Sequence, residues 1–332
     1  MIGDKQELRR CVKQLVRRAE ICEASLSFDV HQGQLGVDAL LDLWARPAQT
    51  PAESLERTIA DQTPFAGDAA ATFAALDAMD LPVRDLNRAQ ILQREYERPA
   101  YIREVLDTMR AKCVLVRVPM NCAQEAQFED DRFEPLLCVD DSLFVPGRYG
   151  VDYAAAAAQI AEAASVCGAR NITVSGYNQY ALAYCVLPAC QDAGLALHIR
   201  LETRQEVAAF TSLLDQFEGV RVLASAAEEA EIQLIDAAAK RVRMLVCLSE
   251  SAHIAYALSR LGTRFVPFSA HAVLPEQMLG RWVLAKEHIW QALCDAYLPL
   301  ARAGYELSSS AIERDVRRLL SGNLLALCRP GV

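Results

Sequence analysis

The residues with the most chemistry in this chain of 332 fall at the ends of short apolar runs. Successive side chains along a strand point to opposite faces. If the apolar residues of each run share one face, then His31, Arg117, Asp140, Ser175, Arg200, Ser225, Ser249 and Ser269 share the other. Each lies near the C-terminal end of its run. Polar residues gathered at one end make a pocket for a small polar ligand. Arg117 and Arg200 suit an anion, because a guanidinium can clamp a carboxylate or phosphate through two hydrogen bonds. Two plainer readings stay open. The runs could simply leave the core at these points, and either arginine could be neutralised by Asp29, Asp140 or Glu202.

The elements that would position these residues repeat. Candidate strands lie at 25–31, 113–118, 136–140, 171–175, 195–200, 220–225, 242–249 and 263–269. From the third onward, helical stretches separate them at 153–166, 179–192, 203–217, 227–239, 251–261 and, after the last, 276–303. Strands alternating with helices imply βαβ units and a parallel sheet. Eight of them predict an α/β (β/α)8 TIM-type barrel, a single domain over 1–332 whose site lies at the strands' C-terminal ends. A doubly wound open sheet would carry a Gly-rich phosphate turn, which is absent from the sequence. Residues 32–112 form a helical, cap-like insertion between strands 1 and 2, with helices at 37–44, 51–61, 68–79 and 99–109. An amphipathic helix over 4–22 docks on the barrel. Residues 304–332 are a C-terminal extension whose helix, 309–320, stops at Gly322–Asn323.

Composition narrows the function classes. Hydrophobic residues make up 52% and charged residues 23%, enough apolar surface for a large core. A net charge of −9 argues against a nucleic-acid partner. No apolar run approaches the roughly 18 residues that span a bilayer, and charge from Asp4 onward is unlike a secretory signal. The eleven cysteines include no CxxC, so reduced thiols in a cytoplasmic protein are expected. Outer barrel helices make a homo-oligomer plausible. Cys138 and Cys247 read as small buried apolar groups, His253 and His288 as helix residues. His198 reads equally as a core histidine or a pocket wall.

Several segments together resemble a known family. Residues 261–272 (LGTRFVPFSAHA) and 275–282 (PEQMLGRW) are similar to the last strand and following helix of the uronate (glucuronate) isomerase-like branch of the amidohydrolase superfamily. Residues 312–323 (IERDVRRLLSGN) resemble its closing helix, 28–31 with 36–41 its first strand and loop, and 131–140 its third strand. The resemblance implies aldose–ketose isomerisation of hexuronates. His31 or Asp140 would move a proton between adjacent carbons, and Arg117 and Arg200 would hold the sugar's carboxylate. Ser175, Ser225, Ser249 and His271 would complete the pocket. It also implies a divalent metal such as zinc, held by two histidines one residue apart on the first strand and an aspartate after the last. Here those positions read His31–Gln32–Gly33 and His271, with Val273, Ala230 and Cys138 replacing an expected arginine, histidine and arginine. A catalytic zinc normally has three protein ligands. Only His31 and His271 remain, with Asp29 or Asp140 as a conceivable third, so a degenerate site without a tightly bound metal is expected. A non-catalytic ligand-binding or interaction barrel, and a hydrolase with an altered metal set, are the alternatives.

Overall fold

The computed structural model describes residues 5–27, 67–82, 98–145, 151–249 and 251–329. Seven strands form one parallel sheet in sequence order: β1 Ile21–Leu26, β2 Ala111–Pro119, β3 Phe133–Cys138, β4 Asn171–Thr173, β5 Ala196–Leu201, β6 Arg221–Ala226 and β7 Met244–Val246. All neighbouring strands pair in parallel, so each pair is joined by a crossover connection. Alternation divides the buried residues into two clusters. Val114, Val116, Leu137, Leu197, Ile199 and Val222 pack against the helices. Leu115, Leu136, Ala196, Leu223, Leu245 and Cys247 fill the concave side.

The eighth expected strand does not form. Residues 263–272 touch the sheet through single bridges, Val266 to Cys247 beside β7 and Ala272 to Leu26 of β1. Pro267 has no N–H to give a ladder. The Ala270 N–H donates to Glu23 Oε2 at 2.9 Å, and the Ala270 carbonyl accepts from Arg281 at 2.6 Å. Side chains thus take the backbone groups a strand would have used. Among the described residues the sheet has seven strands, and an irregular run in the eighth position is joined to both of its edges.

Other boundaries move for local reasons. The first helix is Lys5–Arg18, and β1 begins at Ile21, earlier than expected, because Ile21 and Cys22 pair with Ala111 and Cys113. The remainder of the expected first strand, with Asp29, His31 and Gly33, lies outside the described residues, as do the expected helices at 37–44 and 51–61. In the insertion, helix Gly67–Ala78 packs on the long helix Pro275–Arg302, where Gly280 permits the approach: a Cβ there would fall 1.7 Å from the Ala71 carbonyl oxygen. Gly322–Asn323 does not stop the C-terminal helix. The chain continues through a π turn, Arg318–Gly322, into helix Asn323–Cys328. The Asn323 amide is used instead on the Thr263 and Phe265 carbonyls, at 2.6 and 2.8 Å. Leu324, Leu327 and Cys328 then close the concave core at the strands' N-terminal ends. Arg329 secures them, donating to Glu134 at 2.5 Å.

Candidate functional site

With the N-terminal end plugged, the polar residues of the inner face collect at the other end. Parity places Arg117 of β2, Cys138 of β3, His198 and Arg200 of β5, and Ser225 of β6 on the concave side. Arg200 and Ser225 are direct partners across β5 and β6. Arg117 donates through Nε to the Cys138 sulfur at 3.4 Å, a partner with no formal charge. Arg200 donates to Glu202 Oε1 at 2.8 Å, with its side chain half exposed.

His271 is where these charges meet. It follows the irregular run, with φ at +45°, a left-handed conformation that residues other than glycine seldom adopt. His271 keeps contact with solvent, yet partial desolvation by the protein around it holds its pKa below the ordinary value. Arg200, Arg117 and Arg281 push the same way, against Glu23. A neutral imidazole among guanidinium groups can accept a proton. Below it, His198 is buried, its Nε2 is 3.3 Å from Asn171 Oδ1, and burial lowers its pKa to about 3. It is therefore a neutral core histidine.

A cavity of about 630 Å3 opens beside His271, and Arg200, Ser249, Ser269 and His271 from the sequence-derived set line it. Ser225 is buried next to Arg200. The Ser249 hydroxyl donates to the Ala226 carbonyl at 2.8 Å, and the Ser269 hydroxyl to Glu23. Ser175 donates to Asp141. Asp140 is exposed and caps the turn Asp141–Phe144, accepting from the Ser142 N–H at 2.8 Å, and this interaction lowers its pKa. Asp140 is not among the residues that line the cavity. His31 lies outside the described residues.

Sequence reasoning passed over three groups. Arg281 lines the cavity, and it stands out as a lone cation in a buried stretch that runs from Pro275 to Trp282. Glu23 is fully buried in β1, hidden from sequence reasoning because residues 4–22 looked helical. Glu231, also fully buried, accepts from the Ser249 N–H and faces His253 Nδ1, both at 2.5 Å. That pair fixes the loop carrying Ser249 and Ser251 on the cavity wall.

Among the described residues no three His, Cys, Asp or Glu side chains come together as a metal site. The cationic groups acting on His271 also oppose a second positive charge there. Among the described residues, no helix is long and apolar enough to cross a membrane.

No family model matches the chain, and no curated protein matches its sequence. Solved structures do match. A uronate isomerase from Bacillus halodurans C-125 superposes with a TM-score of 0.87 at 15% identity, over 99% of this chain and 97% of that one. A uronate isomerase from Thermotoga maritima gives 0.70 at 9%, over 99% and 100%. A glucuronate isomerase from Caulobacter crescentus gives 0.64 at 10%, over 99% and 95%. At these identities the likeness is one of architecture, and it runs nearly end to end: the chain has the fold of the uronate isomerases.

Proposed function

We propose that the chain binds a small sugar acid of the hexuronate class at the C-terminal ends of its strands, in a degenerate relative of the uronate isomerase site that works without a tightly bound divalent metal. One observation carries this reading. Arg200, Ser249, His271 and Arg281 line one cavity, and the charge of Arg117 also reaches His271. Guanidinium groups clamp the carboxylate, and Ser249 with His271 meets the sugar's hydroxyls. The eleven cysteines are all free thiols, which suits a reducing, cytoplasmic compartment. Calorimetric titration with glucuronate, galacturonate and their reduced acids tests the proposal. Measurable heat from the acids, lost when the carboxylate is replaced, is expected. No heat from any of them overturns it.

A second reading is favoured by the lowered pKa of His271. Its neutral imidazole would take the proton from carbon 2 of the ring-opened aldose and return it to carbon 1. One hydroxyl proton would pass between the two oxygens, giving the ketose. In heavy water, deuterium should enter the substrate at the exchanging carbon, and His271→Gln should stop the exchange. Binding without exchange or ketose formation would leave a ligand-binding protein.

A further inference from the structure

The cavity is larger and less polar than a hexuronate requires. At about 630 Å3 it falls in the range, roughly 300–1,000 Å3, that encloses drug-sized ligands. Its two ends differ in chemistry. Arg200, Ser249, His271 and Arg281 line the end at the strands. The wall then follows the helix Pro275–Arg302 away from them, through Leu284 and Ala285 to Ile289. Arg281 to Ile289 is eight residues, about 12 Å at 1.5 Å per residue, a length that one six-membered ring does not fill. Ile254 and Phe268 face the same space. Phe268 is held edge-on against Trp282, with ring centroids 5.1 Å apart. The apolar end is a rigid aliphatic and aromatic wall. His288, exposed, marks its outer rim.

We propose that the ligand of this cavity is a uronic acid carrying an apolar substituent, with the carboxylate at the Arg200–Arg281 end and the substituent between Leu284, Ile289 and Phe268. This rests on the sugar-acid reading above and adds the second half of the ligand. A free hexuronate would leave the apolar wall in contact with water, and covering that wall adds binding free energy in proportion to the area buried.

Calorimetry on the full chain with three probes tests it: glucuronate, phenyl β-glucuronide and phenyl β-glucoside. A phenyl glycoside reports binding only, because its blocked anomeric carbon cannot open. Phenyl glucuronide should bind about tenfold more tightly than glucuronate. Leu284→Asn should erase that gain while leaving the glucuronate affinity within about twofold. If glucuronate binds and the phenyl group adds nothing, the inference fails and the sugar-acid reading stands. If phenyl glucoside binds as well as phenyl glucuronide, the cationic end does not read a carboxylate and both fail. Should Leu284→Asn not fold, Ala285→Leu, which narrows the apolar end, replaces it. Selectivity for the phenyl compound that survives both variants overturns the placement.

Discussion

The Trp282 indole donates to Glu23 Oε2 at 2.7 Å, joining two residues 259 positions apart. That bond ties β1 to the long helix and holds the irregular run between them, since the same carboxylate accepts from the Ala270 N–H, the Ser25 N–H and the Ser269 hydroxyl. His271 comes next in sequence, so the buried carboxylate sets where the site's histidine stands.

Removing Glu23 should therefore unfold more than a strand edge. Glu23→Ala leaves the donors of Ser25, Ser269, Ala270 and Trp282 buried without an acceptor, at about 1–3 kcal/mol each when unrelieved. With partial relaxation a loss of about 4 kcal/mol is expected. Trp282→Phe keeps the edge-on packing with Phe268 and deletes one donor, for about 1–2 kcal/mol. Urea unfolding measures both. A Glu23→Ala protein within 0.5 kcal/mol of the parent would contradict the assignment.

His198 gives a pH dependence of known sign. Its folded pKa, about 3, lies below the ordinary histidine value of about 6.5. Above pH 6.5 both folded and unfolded states hold it neutral, and it contributes nothing to the slope. As pH falls from 6.5 toward 3 the unfolded chain takes up the proton and the folded chain does not, so stability drains away across that window. The loss approaches roughly 3–5 kcal/mol at the acid end, at 1.36 kcal/mol per pKa unit. His198→Asn should flatten the stability curve between pH 6.5 and 4. An unchanged curve would mean that His198 is solvated in the folded state.

Much of this architecture was legible in the residues, and the failures have identifiable physics. The period-two alternation of Leu115/Arg117 and Leu197/His198/Ile199/Arg200 assigned the correct faces, because sheets buried on both sides leave few other solutions. The eighth strand was misread because its composition is strand-like, while Pro267 and the side chains of Glu23 and Arg281 take its ladder away. The local cap that Asp140 forms on Ser142 is invisible to parity. Arg281 escaped notice because its role depends on a helix packing beside a strand end, a long-range fact.

The pairing of Arg200 with Glu202 makes an affinity prediction of both signs. Both side chains are about half exposed, so the pair itself is weak. Glu202 nonetheless competes with an incoming carboxylate. Arg200→Ala should weaken glucuronate binding by about 1.5–3 kcal/mol if the contact is charge-assisted. Glu202→Gln should tighten it several-fold, and the gain should shrink with added salt. Isothermal titration at two ionic strengths reads both. A weaker Glu202→Gln complex would show that Glu202 holds the ligand rather than competing with it.

Chelation separates a metal-free site from a metal-dependent one. A divalent ion at His271 would sit in the field of Arg200, Arg117 and Arg281, while the opposing charge of Glu23 is already committed to Trp282, Ser269 and Ala270. Imidazole alone binds zinc poorly without further anionic or neutral donors. Protein dialysed against chelator should keep its glucuronate affinity within about twofold, and added zinc should compete with the ligand's arginine contacts or leave them unchanged. His271→Gln, which retains a hydrogen-bonding group, should then lower affinity by only about 0.5–1.5 kcal/mol, the net worth of a neutral hydrogen bond. Binding lost on chelation and restored by stoichiometric zinc would reverse this account: His31 and His271 would then hold an ion, and the arginines would serve to neutralise the sugar's carboxylate beside it.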